Sequence, residues 1–200
     1  MHDESAASAE VPSSSIGRLV KDARSRAGLS MRALAARCEV SQPFLSQIER
    51  GHTAPSLATL YRIAAALGVS VSSLLPEAVS TPDILHVAAD GGRMLPVSPE
   101  ADSASGRLLT IGAGHPLEVV EYRVRPGETL GGWFTGDGEQ TLFVVEGRVT
   151  VELAGEGSWV VEAGGALTHP SNVPHRWSAG AEPCHLLLAV AHRAPGGPSA

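Results

Sequence analysis

LSMRALAARCEVSQPFLSQIERG, Leu29 to Gly51, carries two short apolar stripes at helical spacing with a turn between them. Met31, Leu34, Ala35 and Cys38 recur at i, i+3, i+4 and i+7, which lines them along one side of a helix. Ser30 stands just before them as an N-cap. In the second half Phe44, Leu45 and Ile48 form the buried stripe, Ser41 is the cap, and Gly51 closes the helix where positive φ carries no side-chain penalty. Gln42, Pro43, Ser46, Gln47 and Arg50 are then left facing outward. Amides, hydroxyls and an Arg on the first turns of an exposed helix are the groups that meet base edges in a major groove.

Working outward, Ile16, Leu19, Val20 and Ala23 give a preceding helix its apolar side, with Ser14 or Ser15 as cap and Gly28 as stop. Arg18, Lys21, Arg24 and Arg26 fall on its wetter faces. After the loop His52-Thr53-Ala54-Pro55, Ser56 caps a helix striped by Leu57, Leu60, Tyr61, Ala64 and Leu67, and Gly68 ends it. Ser70 to Leu75 reads as a last short helix stopped by Pro76. The sum is a five-helix, all-α domain over residues 16–76, with Phe44 and Tyr61 assigned to its core. Eight basic residues against three acidic ones give this stretch a charge of +5, whereas everything from Glu77 onward carries −8. A cationic front half is drawn to phosphate by counterion release, and the acidic remainder is repelled by it.

The polar leader, residues 1–15, lacks a basic and an apolar region and is expected to be disordered rather than a secretory signal. Residues 77–106 read as a Pro-, Gly- and Ser-rich linker with one edge strand at Ile84–Val87. From 107 to 193 the period changes to two. Leu117–Val124, Gln140–Val145, Arg148–Leu153, Ser158–Glu162, Ala166–His169 and Cys184–Val190 are short apolar runs separated by glycines, which predicts an antiparallel barrel or jelly roll. Residues 194–200 are an expected disordered tail. No apolar run approaches the roughly 18 residues that span a bilayer, and Cys38 and Cys184 imply no disulfide framework, so a reducing cytoplasm is the expected setting.

Ile16 to Leu75, through GLSMRALAARCEVSQPFLSQIERG and PSLATLYRIAAALGVSVSSLL, resembles the DNA-binding domain of the XRE-type, lambda-repressor-like transcriptional regulators. The resemblance implies that Ser41, Gln42, Pro43, Ser46 and Gln47 read bases, and that Arg32, Arg50 and Thr53 belong to the same DNA-contacting surface. It further implies a double-stranded DNA operator and a homodimer. Two positions depart from the family pattern: Glu39 stands where the turn usually carries Gly, and Met31 where a backbone-contacting Gln is common.

PGETLGGWFTGDGEQTLFVVEGRVTVEL followed by VVEAGGALTHPSNVPHRW resembles the two motifs of a cupin, a double-stranded β-helix. With four-residue spacing the first motif puts Trp133 and Thr135 at its two His positions and Gln140 at its Glu position; with three-residue spacing Phe134 and Gly136 replace the first two. The second motif retains His175, so one customary metal ligand of four remains. No cofactor is therefore expected, although His115, His169, Cys184, His185 and Glu139 are further donors whose spacing forces no shared site. Strand alternation points Trp133, Gln140, His175 and Trp177, with Thr135 beside them, into one barrel mouth, either as a small-molecule pocket or as a filled core. Trp159 is assigned to ordinary packing. The expected function is a transcriptional regulator whose barrel binds an effector, dimerises, or both; the alternative is a metal-dependent cupin enzyme, a dioxygenase or isomerase, with an appended DNA-binding domain.

Overall fold

Serine caps set the helix starts in the N-terminal half. The computed structural model describes residues 13–76, 85–110 and 116–192; the expected tail, most of the leader, Ile84 and His115 lie outside them. Four α-helices follow in order: α1 (Ser13–Arg26), α2 (Met31–Arg37), α3 (Gln42–Glu49) and α4 (Leu57–Leu67). Ser30, Ser41 and Ser56 accept the N–H of Ala33, Phe44 and Thr59 at 3.1, 3.2 and 3.3 Å, one capping bond for each of α2, α3 and α4. Gly68 closes α4 at φ 67°, and Glu39 takes φ 54° in the turn between α2 and α3, accepting the left-handed conformation that Gly would adopt freely.

Three expectations are corrected here. Residues 13–15 belong to α1 rather than to a leader, so Ser14 and Ser15 are not flanking caps. The expected fifth helix is a single 3₁₀ turn, Ser72–Leu74, because Ser70 bonds the Ser73 N–H and Pro76 ends the segment before a second turn can form. Arg24 is not on a wet face: its guanidinium forms a two-pronged pair with Glu49, at 2.6 and 3.0 Å, and donates to the Leu29 carbonyl at 2.9 Å. Together with Gly17, where a Cβ would lie 2.2 Å from the Ile48 carbonyl oxygen, that pair fixes α3 tightly against α1.

In the second half every ladder between the described strands is antiparallel. One sheet runs in the order β1 (Arg93–Pro96), β2 (Ser105–Leu108), β3 (Leu117–Val124), β9 (Cys184–Ala191), β4 (Glu139–Glu146), β7 (Ala166–Pro170); the other runs β6 (Gly157–Glu162), β5 (Arg148–Leu153), β8 (His175–Ala179). Val120, Tyr122, Leu142, Val144, Val149, Val151, Leu186 and Leu188 are buried residues of the resulting core. The predicted linker supplies β1 and β2, whereas Leu85–Val87 is irregular. The edge beside β3 is taken by β2, with Leu108 opposite Val120. Arg93 and Arg107 interrupt the apolar alternation of that hairpin.

α4 joins the halves. Its first turn donates the Ala58 N–H to the Val97 carbonyl at 2.9 Å, and Leu57 packs over Gly106, where a Cβ would meet Leu57 Cδ2 at 3.0 Å and Tyr122 Cε1 at 2.8 Å. The Tyr61 hydroxyl donates to the carboxylate of Glu118 on β3, and the Ser72 N–H donates to its other oxygen at 3.3 Å. Glu118 is 0% exposed, so these donors replace the water that a buried carboxylate needs.

Candidate DNA-reading helix and barrel pocket

On α3 the division expected from periodicity is present in part, with Phe44, assigned to the buried stripe, only half-buried. Leu45 and Ile48 are buried; Ser41, Gln42, Pro43 and Arg50 are exposed, as is Arg32 on α2, while Ser46, Gln47 and Thr53 are half-buried. All eight lie on α2, on α3, at its N-cap or in the turn after it. His52, which sequence reasoning left in a loop, donates from Nδ1 to Gln47 Oε1 at 2.9 Å. That bond occupies the amide oxygen and leaves Gln47 its N–H donors, which suit acceptor edges such as purine N7. Its only signal in the sequence is a polar side chain five residues on, just past the helix end.

Inside the barrel, Gln140 on β4 faces His169 across the ladder to β7. The Gln140 amide nitrogen lies 3.0 Å from Nε2 of His169 and 3.0 Å from Nε2 of His175. Each imidazole turns its Nδ1–H to a backbone carbonyl, His169 to Pro170 at 3.0 Å and His175 to Val173 at 2.8 Å. Every hydrogen is then assigned: two neutral rings accept the two N–H of one amide. Burial pushes the His175 imidazolium down to about 4, against a backbone bond that favours it, and also lowers His169. Phe134 stacks on His175 and Trp177 at 6.2 and 5.8 Å between ring centres, and Tyr122 meets Trp177 edge-on at 5.8 Å.

Gln140, His175 and Trp177 are brought together as expected, with Thr135 at the rim, and all four line a narrow cavity of about 30 Å³. Trp133 is corrected. It is 47% exposed on the outside, with the Arg176 guanidinium 5.0 Å from its ring centre. Phe134 takes the inward place because its backbone pairs with His175, the register of the three-residue spacing. His169, named from the sequence only as one of several further donors, is the one that joins the pocket; its alternation with the half-buried Leu167 on β7 was the available signal. Trp159, expected to pack, is 38% exposed on β6.

A divalent metal, implied by the cupin resemblance, does not fit these residues. Both imidazole lone pairs are taken by the amide, and Gln140 offers a neutral oxygen instead of a carboxylate. Cys184 lies six residues along β9 from Val190, the partner of Gln140, about 20 Å away. His185 is bonded to Glu121 at 2.8 Å, and Glu139 is exposed on the opposite face of β4. Among the described residues no group of three or more His, Cys, Asp or Glu is placed to hold a metal.

Two family models match the chain, Helix-turn-helix over residues 20–74 and Cupin domain over residues 120–190. The HTH-type transcriptional regulator PuuR of Escherichia coli (strain K12) is 25% identical over 177 residues, covering 86% of this chain and 92% of the relative. The HTH-type transcriptional regulator DdrOP3 of Deinococcus deserti is 39% identical over 115 residues, 58% of this chain and 87% of the relative. Among solved structures, an HTH_3 family transcriptional regulator from Vibrio cholerae aligns with a TM-score of 0.68 at 25% identity, over 92% of this chain and 98% of that one.

Proposed function

Because the chain belongs to the helix-turn-helix transcriptional regulators and carries a cupin domain, we propose that α3 reads a DNA operator while the barrel holds a small-molecule effector and dimerises, without catalysing a reaction. The observation that carries the reading is the exposed edge of α3: Ser41, Gln42, Pro43 and Arg50 stand clear of the core, on a helix pinned from behind by Arg24 and Gly17. Ser41, Gln42, Pro43, Ser46 and Gln47 are assigned to bases, and Arg32, Arg50 and Thr53 to the backbone. Thr135, Gln140, His175 and Trp177, joined by Phe134 and His169, are assigned to the effector.

A filled, neutral imidazole pair supports binding over metal chemistry, and an apolar outer sheet face supports a homodimer. That face exposes Leu117, Phe143 and Val145, at 48, 39 and 43%. One short reading helix buries little surface on DNA, so paired half-sites are the physical expectation. Among the described residues no helix is long and apolar enough to cross a membrane, and the proposed setting is the cytoplasm. Fluorescence anisotropy with the chain's own promoter region tests the DNA assignment. Arg50→Ala is expected to weaken all duplexes and reduce the salt slope by about 1, and Gln42→Ala to lose about 1–3 kcal/mol of discrimination. Equal binding of all duplexes by wild type and both variants refutes it.

A further inference from the structure

Resting on the reading of the barrel as an effector pocket, we propose that α4 is the lid of that pocket, and that the ligand it admits is an uncharged, mainly apolar small molecule bearing a hydrogen-bond acceptor. The cavity among Tyr122, Phe134, Gln140, His175 and Trp177 has room for about 30 Å³, enough for a water or two and too little for an organic ligand. One wall must move. The strand walls are held by continuous ladders. The Phe134–Asp137 segment is pinned by backbone bonds of 2.7 and 3.0 Å between Phe134 and His175 and of 2.8 Å from Gly136 to Ser171. Val97 and His192 are held by backbone bonds to Ala104 at 2.9 Å and to Pro116 at 3.0 Å, which leaves Leu57 and Tyr61 of α4, attached by the Ala58–Val97 bond and by Tyr61 and Ser72 on Glu118.

Ligand class follows from the lining. No Lys or Arg lines the cavity; Asp137, which does, is exposed, and His192 sits 3.5 Å from the Glu118 carboxylate, so neither an anion nor a cation finds a free buried counter-charge. Gln140, His169 and His175 satisfy one another as neutral groups and offer no net charge to an ion of either sign. Aromatic faces dominate, and the Trp177 indole N–H is buried without an acceptor among the described residues. An acceptor oxygen or nitrogen on an otherwise apolar molecule answers both features. Because α4 belongs to the same domain as α3, a ligand that lifts it moves the reading helix with it.

Benzyl alcohol, benzoate and benzylamine share one ring and differ in charge, which makes them suitable probes of the full chain. Saturation-transfer NMR should rank the alcohol at least tenfold above both ions, and should find it at least tenfold tighter on Tyr61→Phe, which unlatches the lid. Hydrogen exchange of α4 amides should rise when the alcohol binds. Glu118→Gln, which keeps the shape but weakens the latch, should shift affinity in the same direction. Equal alcohol affinity for wild type and both variants with unchanged α4 exchange overturns the lid while leaving the effector reading intact. Benzoate or benzylamine binding as tightly as the alcohol overturns the ligand class, and no binding to any variant overturns the pocket itself.

Discussion

Replacing Gln140 by Glu removes the amide that both imidazoles share, and its consequences can be worked from the distances. His169 and His175 each lose a donor now 3.0 Å away, and neither can reach water, since both are at most 4% exposed. At about 1–2 kcal/mol for each buried neutral acceptor left unpaired, and with the new carboxylate itself buried, Gln140→Glu should cost at least about 2–4 kcal/mol without metal. For a chain of this size that is roughly 4–16 °C in Tm. The same change converts the cluster into two imidazole nitrogens and a carboxylate, a set that suits divalent iron, cobalt or zinc. Cobalt(II) at a thousandfold over its Kd should return about 4 kcal/mol. Thermal unfolding at about pH 8, where the imidazoles are neutral, with and without cobalt reads both effects. The reasoning is refuted if the wild type gains as much Tm from cobalt as the variant, or if the variant gains nothing.

Three further outcomes follow from the packing. Gly17→Ala places a methyl 2.2 Å from the Ile48 carbonyl oxygen and should force α1 from α3, costing about 1–3 kcal/mol; DNA affinity should fall while the tryptophan signal, which arises wholly from the barrel, is retained. Arg24→Ala leaves the Glu49 side chain, 4% exposed, without its partner, so the helical domain should lose about 3–5 kcal/mol in urea titrations followed by circular dichroism. Acid should act through His175. Its folded value of about 4 lies below the ordinary 6.5, so the unfolded chain takes up the proton first and stability declines as pH falls from 6.5 to 4. The loss approaches roughly 3 kcal/mol. A His175→Gln variant with an equally steep decline over that window would show that another group is responsible.

Local rules made the helical half legible. Ser30, Ser41 and Ser56 lie next to the helices they cap, Gly68 next to the one it ends, and Glu39 takes positive φ at the place where Gly was missing. The barrel was legible as a class from its period of two, but its partners are set by register. His169 matters only because it falls opposite Gln140, 29 residues away. Phe134 displaces Trp133 through a one-residue choice in a segment with no alternation to fix it. β8, HRWSA, alternates buried and exposed residues, yet its inward positions are His175 and Trp177 rather than aliphatic ones. The Tyr61–Glu118 contact spans 57 residues and two different periods. Nothing in either pattern joins them, so the closing of the barrel by α4 emerges only from the folded chain.

Selection of bound duplexes from a randomised pool by the 200-residue chain shows whether α3 reads DNA sequence. The expected result is enrichment of an inverted repeat with half-site centres about 10 bp apart, or a multiple of that, matching two reading helices on one helical turn of DNA. Loss of that enrichment is expected with Gln42→Ala. An unenriched pool for the wild type, or a motif unaffected by Gln42→Ala and Arg50→Ala alike, would contradict it.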